Sequence, residues 1–232
     1  MSELVLLHGS DHIIEKPDLL HGNEHNDYGR GFYCTTDLQL AGEWACKQNN
    51  DGFINRYRFN DDGLKVLNLN DGTHSVLNWI AILLKHRTFK LNSEISQDTR
   101  EYLIDHFSID MSAYDVAIGY RADDSYFQYA EAFIENGIPL RSLNRALTLG
   151  KLGLQTVLVS SKAFDQLFFL EAIGAERTRY YPQFFQRDKT ARDTYRNEIR
   201  RGRAYKEDIF ALDILREEMS NDDPRIQRIL SE

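Results

Sequence analysis

Cysteine is nearly absent from this chain: Cys34 and Cys46 are the only two in 232 residues. Two thiols cannot supply a disulfide framework or a cysteine-only zinc site. Proline is scarce, at four residues, and no Pro-rich linker, internal repeat or low-complexity tract is present. No apolar run approaches the ~20 residues that a membrane-spanning helix requires, so no membrane partner is expected. The first residues, MSELVLLHGSD, lack the basic region and cleavage pattern of a secretory signal. A reducing, cytoplasmic setting is the expectation, with delivery into another cell by a signal-free route left open. A positive charge excess is also missing. The formal net charge is -8, which argues against a general nucleic-acid coat protein, because duplex binding rests on cationic neutralisation of phosphates. A local basic patch remains compatible with that balance.

Hydrophobic residues make up 42% of the chain and aromatics 12%, enough for a substantial core in one large domain or a domain with an appendage. ELVLLHGS reads as a short buried strand over Leu4–Leu7. Residues 11–31 follow as a long loop rich in His, Asn, Asp and Gly, a length that inside a compact domain is usually functional. A second strand is expected over Gly31–Thr35, then a helix capped by Asp37 and running to about Gln48. FINRYRF and LKVLNL read as strands around the turn NDDG. SVLNWIAILLKHR places Val76, Leu77, Ile80, Leu83 and Leu84 on one helical face. A helix from Ser96, a strand over Tyr114–Tyr120, helices over Asp123–Glu135 and Leu140–Leu149, and a strand over Leu154–Ser160 with a helix at Lys162 complete the pattern. From about Tyr181 the composition turns basic, and DIFALDILREEM, toward the end, reads as an amphipathic helix. Strands and helices mix without regular βα alternation, so the class is α+β.

Three positions suggest one site. His8-Gly9-Ser10 lies where the first strand ends, a place where backbone groups escape ladder pairing. A glycine there lets a planar amide approach the main chain, and the neighbouring imidazole and hydroxyl can bond sugar hydroxyls. Tyr33, on the second strand, and Trp44, on the helix after it, could hold a flat ring between them, with the small Ala41 keeping the space open. Gly29 and Gly31 let the chain turn into that strand.

HGS after a first strand, followed by G-R-G-F-Y leading into a helix with an aromatic residue, resembles the NAD-binding core of ADP-ribosyltransferases. The class it looks like is the His-Tyr-Glu one, shared by poly-ADP-ribose polymerases and diphtheria-type toxins. The likeness extends over roughly Leu4–Leu170 and includes the ADDSYF segment and the late strand GLQTVLVSS. It implies a split β-sheet core over residues 1–180 with a helical insertion at about 74–150, and a basic helical extension over 181–232. It further implies that Gly9 holds the nicotinamide carboxamide through its backbone and that His8 and Ser10 face the ribose. Tyr33 and Trp44 would flank the ring, and Gly31 and Arg30 would line the cleft, with Arg30 and His12 near the pyrophosphate. Where the polymerases carry a serine, this chain has Ala41. Where the class carries a glutamate, the match falls on Gln155. A neutral amide can orient a ribose hydroxyl, but it stabilises developing positive charge less than a carboxylate and cannot act as general base. Asp123 and Asp124 are candidates to position the acceptor or supply that base.

The function implied is mono-ADP-ribosyl transfer from NAD+ to a macromolecular acceptor, protein or nucleic acid, as in bacterial toxins with an antitoxin or immunity protein as partner. A non-catalytic NAD-binding module and an NAD glycohydrolase are the alternatives. No metal is expected. His8, His12, His21 and His25 have suggestive spacings for zinc, but no cysteine other than Cys34 is near. The basic segment from Arg187 to Lys206, including Arg200, Arg201 and Arg203, is a candidate surface for an RNA or acidic protein acceptor.

Overall fold

The computed structural model describes residues 3–122, 124–149, 153–201 and 205–230. Contacts divide the chain into two units. The first comprises the chain up to Asn70, Asp110–Arg121 and Gly153–Arg187, and the second Asp71–Ile109, Ala122–Leu152 and the chain from Asp188 on. The fold is α+β.

The first unit holds the strands: β1 Glu3–Ser10, β2 Phe32–Cys34, β3 Gly52–Asn60, β4 Val66–Asn68, β5 Val116–Tyr120, β6 Leu154–Leu158 and β7 Leu167–Ala175. They form a three-stranded sheet of order β1-β3-β7 and a four-stranded sheet of order β2-β6-β5-β4. All described pairs are antiparallel except β4 with β5. β5 lies within the 74–150 stretch that reads as a helical insertion, yet it pairs into this unit. One isolated bridge, Leu7 with Thr35, joins the sheets.

β1 buries residues on both of its faces, in keeping with its nearly continuous apolar run. Leu6 enters a core with Phe32, Cys34, Tyr57, Phe59, Val116 and Leu158. Leu7 faces the other way, into a cluster with Ala41, Ala45, Ile54, Ala175 and Tyr180. Ala41 and Ala45 belong to helix α1, Leu38–Ala45. Asp37 starts it as the sequence predicts, accepting from the amides of Gln39 (2.8 Å) and Leu40 (3.1 Å). It stops at Ala45, short of the expected Gln48, because Lys47–Asp51 offers no apolar residue to bury and instead closes a turn, Lys47 N–H to Asn50 O at 3.2 Å.

The sequence reading places a helix at Lys162 and no strand after it, so β7 is an addition. The helix there, α6 Ser161–Phe164, lasts four residues. LFFLEAIGA then pairs with β3, with an irregularity opposite Arg56/Tyr57. As an edge strand it leaves Phe168, Leu170 and Ile173 exposed, so its apolar pattern follows no clean alternation. Helix α7, Arg177–Arg201, follows. It begins before the composition change at Tyr181, and its first residues, through Arg187, belong to the first unit. Glu43 of α1 accepts from Arg187 Nε (2.9 Å) and Nη2 (2.7 Å) through one buried oxygen.

The second unit is helical: α2 Val76–His86, α3 Glu94–Phe107, α4 Asp124–Ile134, α5 Leu140–Leu149, α8 Ala211–Arg216 and α9 Pro224–Leu230. The sequence suggests one apolar face for α2, but every residue from Val76 to Leu84 is buried, so α2 is a central helix packed on all sides. Its polar Asn78 is satisfied by donating to Phe107 O at 2.8 Å and accepting from Ser75 N–H at 2.8 Å. α3 starts two residues before Ser96, capped by Ser93, whose hydroxyl accepts from Ser96 N–H at 3.1 Å. The amphipathic stretch DIFALDILREEM forms α8 over six of its residues, and α9 lies beyond it.

Candidate functional site

The place where the two sheets part follows from strand geometry. Leu7 exchanges two bonds with Thr35, N–H to O at 2.8 Å and O from N–H at 2.9 Å. Its main-chain groups therefore point away from β3. Groups alternate along an antiparallel strand, so those of Gly9, two residues on, point the same way. At that level the chain beyond Thr35 has turned into α1. Thr35 lies one step past the Cys34–Thr156 pair, opposite Gln155, and Gln155 pairs with Gly119. The row Leu7–Thr35–Gln155–Gly119 thus crosses four strands and sets His8, Gly9, Tyr33 and Gln155 within two residues of one line.

Gly9 requires glycine for a reason the sequence does not reveal. A Cβ there would lie 2.1 Å from Ala41 O and 2.6 Å from Ala45 N. The space on that side belongs to the backbone of α1, whose small Ala41 and Ala45 let it lie flat on β1. Ala41 is fully buried in this contact. It packs α1 against β1 and does not hold open a ring slot, because its face of the helix is turned to the core.

His8 points to the opposite side of β1, its ring stacked on Phe32 at 4.4 Å between centroids. Its Nδ1 lies 2.7 Å from Tyr33 O. A carbonyl only accepts, so Nδ1 carries the hydrogen and Nε2 presents a lone pair. Burial holds the imidazole pKa below its ordinary value, and the bond to Tyr33 opposes this only in part. The ring is a neutral acceptor, suited to a hydroxyl.

The long loop is pinned from both ends. Buried Asn55 accepts from Ile14 N–H at 2.9 Å and donates to His12 O at 3.2 Å. At the other end the Tyr33 hydroxyl donates to Gly29 O at 2.6 Å and accepts from Tyr28 N–H at 3.0 Å. Gly29 has φ +75°, the left-handed conformation that glycine adopts without strain. Tyr28 is buried and donates to Tyr120 O at 2.9 Å.

Gln155 is 2% exposed. Its Nε2 donates to Asp27 Oδ2 and to Tyr120 O, both at 3.1 Å. Two acceptors at one end of the amide fix that end as NH2, so Oε1 occupies the other corner and serves only as an acceptor. Asp27 is itself 7% exposed.

The remaining expected residues are placed as follows. Trp44 is half-buried. Its Nε1 is buried without a hydrogen-bond partner, and the Arg121 guanidinium lies 5.2 Å over its ring. One face of Trp44 therefore carries an arginine. Arg30 is ion-paired with Glu24. Gly31 abuts β6, where a Cβ would lie 2.7 Å from Leu158 O. Ser10 Oγ bonds His12, whose Nδ1 also meets Asp11 at 2.7 Å. Asp11, bonded to Lys47 and His12, has its carboxyl pKa lowered to about 2. Among the described residues no group of three or more His, Cys, Asp or Glu could hold a metal ion. Asp123 and Arg203 lie outside the described residues, as do the side chains of Asp124, Arg200 and Arg201. In the basic segment Arg187, Arg192 and Arg196 face carboxylates of Glu43, Asp188 and Asp193. Among the described residues no helix is long and apolar enough to cross a membrane.

Sequence reasoning missed Asp27, Tyr28, Tyr120 and Arg121. The available signal was the run DYGRGFY, which begins on an aspartate and a tyrosine that both prove buried. No curated protein and no solved structure matches the chain. The family model described as a protein of unknown function (DUF3990) matches residues 4–169, well over half of the 232, and the chain belongs to that family.

Proposed function

We propose that the first unit is a mono-ADP-ribosyltransferase that uses NAD+ as substrate and transfers ADP-ribose to a protein or nucleic-acid acceptor. The observation that carries this reading is the cross-strand row. It sets an outward-facing glycine backbone, a neutral histidine acceptor, a tyrosine and Gln155, whose Oε1 is an acceptor, around the point where the sheets part. These groups suit a carboxamide-bearing ring joined to a ribose. Gly9 N–H and C=O match the acceptor and donor of a primary amide. His8 Nε2 and Gln155 Oε1 accept from sugar hydroxyls. Trp44 Nε1 is a buried donor without a partner, and Tyr33, its hydroxyl held by Gly29 and Tyr28, keeps a fixed ring on the row.

In the overall reaction the bond from ribose C1′ to the nicotinamide nitrogen breaks, and its electron pair leaves with neutral nicotinamide. An acceptor oxygen or nitrogen bonds C1′ and gives its proton to solvent. The residues of this chain bind and orient the substrate for that exchange. With Gln155 in the third position, one transfer is favoured over chain elongation. Where the acceptor is essential to the cell that makes the protein, such an activity calls for a neutralising antitoxin or immunity protein.

The test is incubation with NAD+ and chromatographic measurement of nicotinamide. Release above the uncatalysed rate, lost in Tyr33→Ala, supports the reading; absence of both release and NAD+ binding ends it. Labelled NAD+ added to a cell extract, followed by separate protease and nuclease digestion, identifies the acceptor class. Label found only on free ADP-ribose points to a glycohydrolase. The second reading, an NAD-binding module without turnover, is favoured by the neutral Gln155. It predicts NAD+ binding with no nicotinamide released.

A further inference from the structure

The transferase reading leaves a deficit, since a neutral amide stands where negative charge is wanted. The structure places a carboxylate directly behind that amide, on a different segment. We propose that Gln155 and Asp27 divide the work of one carboxylate: Gln155 Oε1 accepts from the ribose hydroxyl, while Asp27 holds the amide in that orientation and supplies the negative charge. The proposal rests on the transferase reading above.

Asp27 Oδ2 and Tyr120 O both accept from Gln155 Nε2 at 3.1 Å. Tyr120 O is itself held by the Tyr28 hydroxyl at 2.9 Å. Turning the amide over would set Oε1 against two acceptors, so the geometry admits a single orientation. Gln155 and Asp27 are both buried, and charge–charge interactions there are screened far less than in water. Positive charge developing on the ribose as the glycosidic bond lengthens is therefore felt by the Asp27 carboxylate through the amide it polarises. Asp27 acts through Gln155 and is a positioning residue. Gly119 accounts for the tightness of the arrangement: a Cβ there would lie 2.2 Å from the Tyr28 hydroxyl, so only a glycine lets Tyr28 buttress Tyr120 O.

The test uses the full chain and nicotinamide release, with circular dichroism and thermal melts to follow folding. Asp27→Asn keeps a side-chain acceptor for Gln155 and removes the charge. It should lower kcat about 10-fold or more while changing the KM for NAD+ less than about 3-fold, the split expected when an interaction gains strength in the transition state. Gln155→Glu should not raise activity, because the new carboxylate faces Asp27 and Tyr120 O and is pushed toward protonation. In the double variant Asp27→Asn/Gln155→Glu the amide and the carboxylate trade places, and the introduced amide can donate to the introduced carboxylate. That variant should recover at least about 3-fold over Gln155→Glu, with Tyr120 O still facing the carboxylate. Wild-type kcat in Asp27→Asn overturns the proposal, as does a double variant no better than Gln155→Glu. If Asp27→Asn fails to fold, the double variant alone decides. A wild-type chain that releases no nicotinamide removes the transferase reading, and this proposal with it.

Discussion

The Cα of Gly9 lies against the carbonyl of Ala41, and a methyl group on Gly9 would come within 2.1 Å of that oxygen. The nearest atoms are backbone of α1, so relief requires the helix to move. Gly9→Ala is expected to destabilise the first unit by about 1–3 kcal/mol, as overpacking does elsewhere. A lowered urea midpoint would register it, and NAD+ binding should weaken in parallel because α1 carries Trp44.

His8 gives a pH signature. Its pKa in the folded chain lies below the ordinary 6.5 because burial disfavours the charged ring. Above that value the ring is neutral in both states and contributes nothing. As pH falls below it, the unfolded chain takes up a proton that the native one refuses, so stability declines until the lower folded value is reached. The slope from this residue is at most about 1.4 kcal/mol per pH unit. Denaturation of wild type and His8→Gln at pH 7.5, 6 and 5 should show the two curves converging as pH falls.

Tyr33→Phe removes one hydroxyl and with it two bonds to the loop, to Gly29 O and from Tyr28 N–H. The cost in stability should be about 1–2 kcal/mol. The loop around Asp27 should loosen, seen as faster amide hydrogen exchange over residues 26–30 with β3 and β7 unaffected.

The Glu43–Arg187 pair ties α7 to α1. Glu43→Ala takes away the carboxylate oxygen that accepts both guanidinium bonds and is expected to cost about 3 kcal/mol. Replacing both residues, as in Glu43→Leu/Arg187→Met, should restore most of it. Equilibrium unfolding of the single and double variants provides the check.

Much of the fold was legible because it depends on local rules. Asp37 caps α1, helical spacing marks α2, and alternation marks β3. β7 was not, since an edge strand that buries few side chains loses the period-2 pattern. At the site, His8, Gly9, Tyr33 and Gln155 fall along one cross-strand row, but two of the reasons differ from those the sequence suggests. Gly9 is a glycine because α1 lies on it, and Ala41 is small for the same contact. Asp27 was illegible because its meaning depends on Gln155, 128 positions away in the chain. Only strand pairing brings the two together.

The single bridge between the sheets carries a consequence for chemical selectivity. A flat group bound at Gly9 would take the place of one residue of the missing neighbouring strand, and it must then both accept from the N–H and donate to the C=O. A primary amide does both. A carboxylate of the same shape can only accept, and would set its negative oxygen against the carbonyl of Gly9. Nicotinamide should therefore compete with NAD+, and nicotinic acid should compete far more weakly.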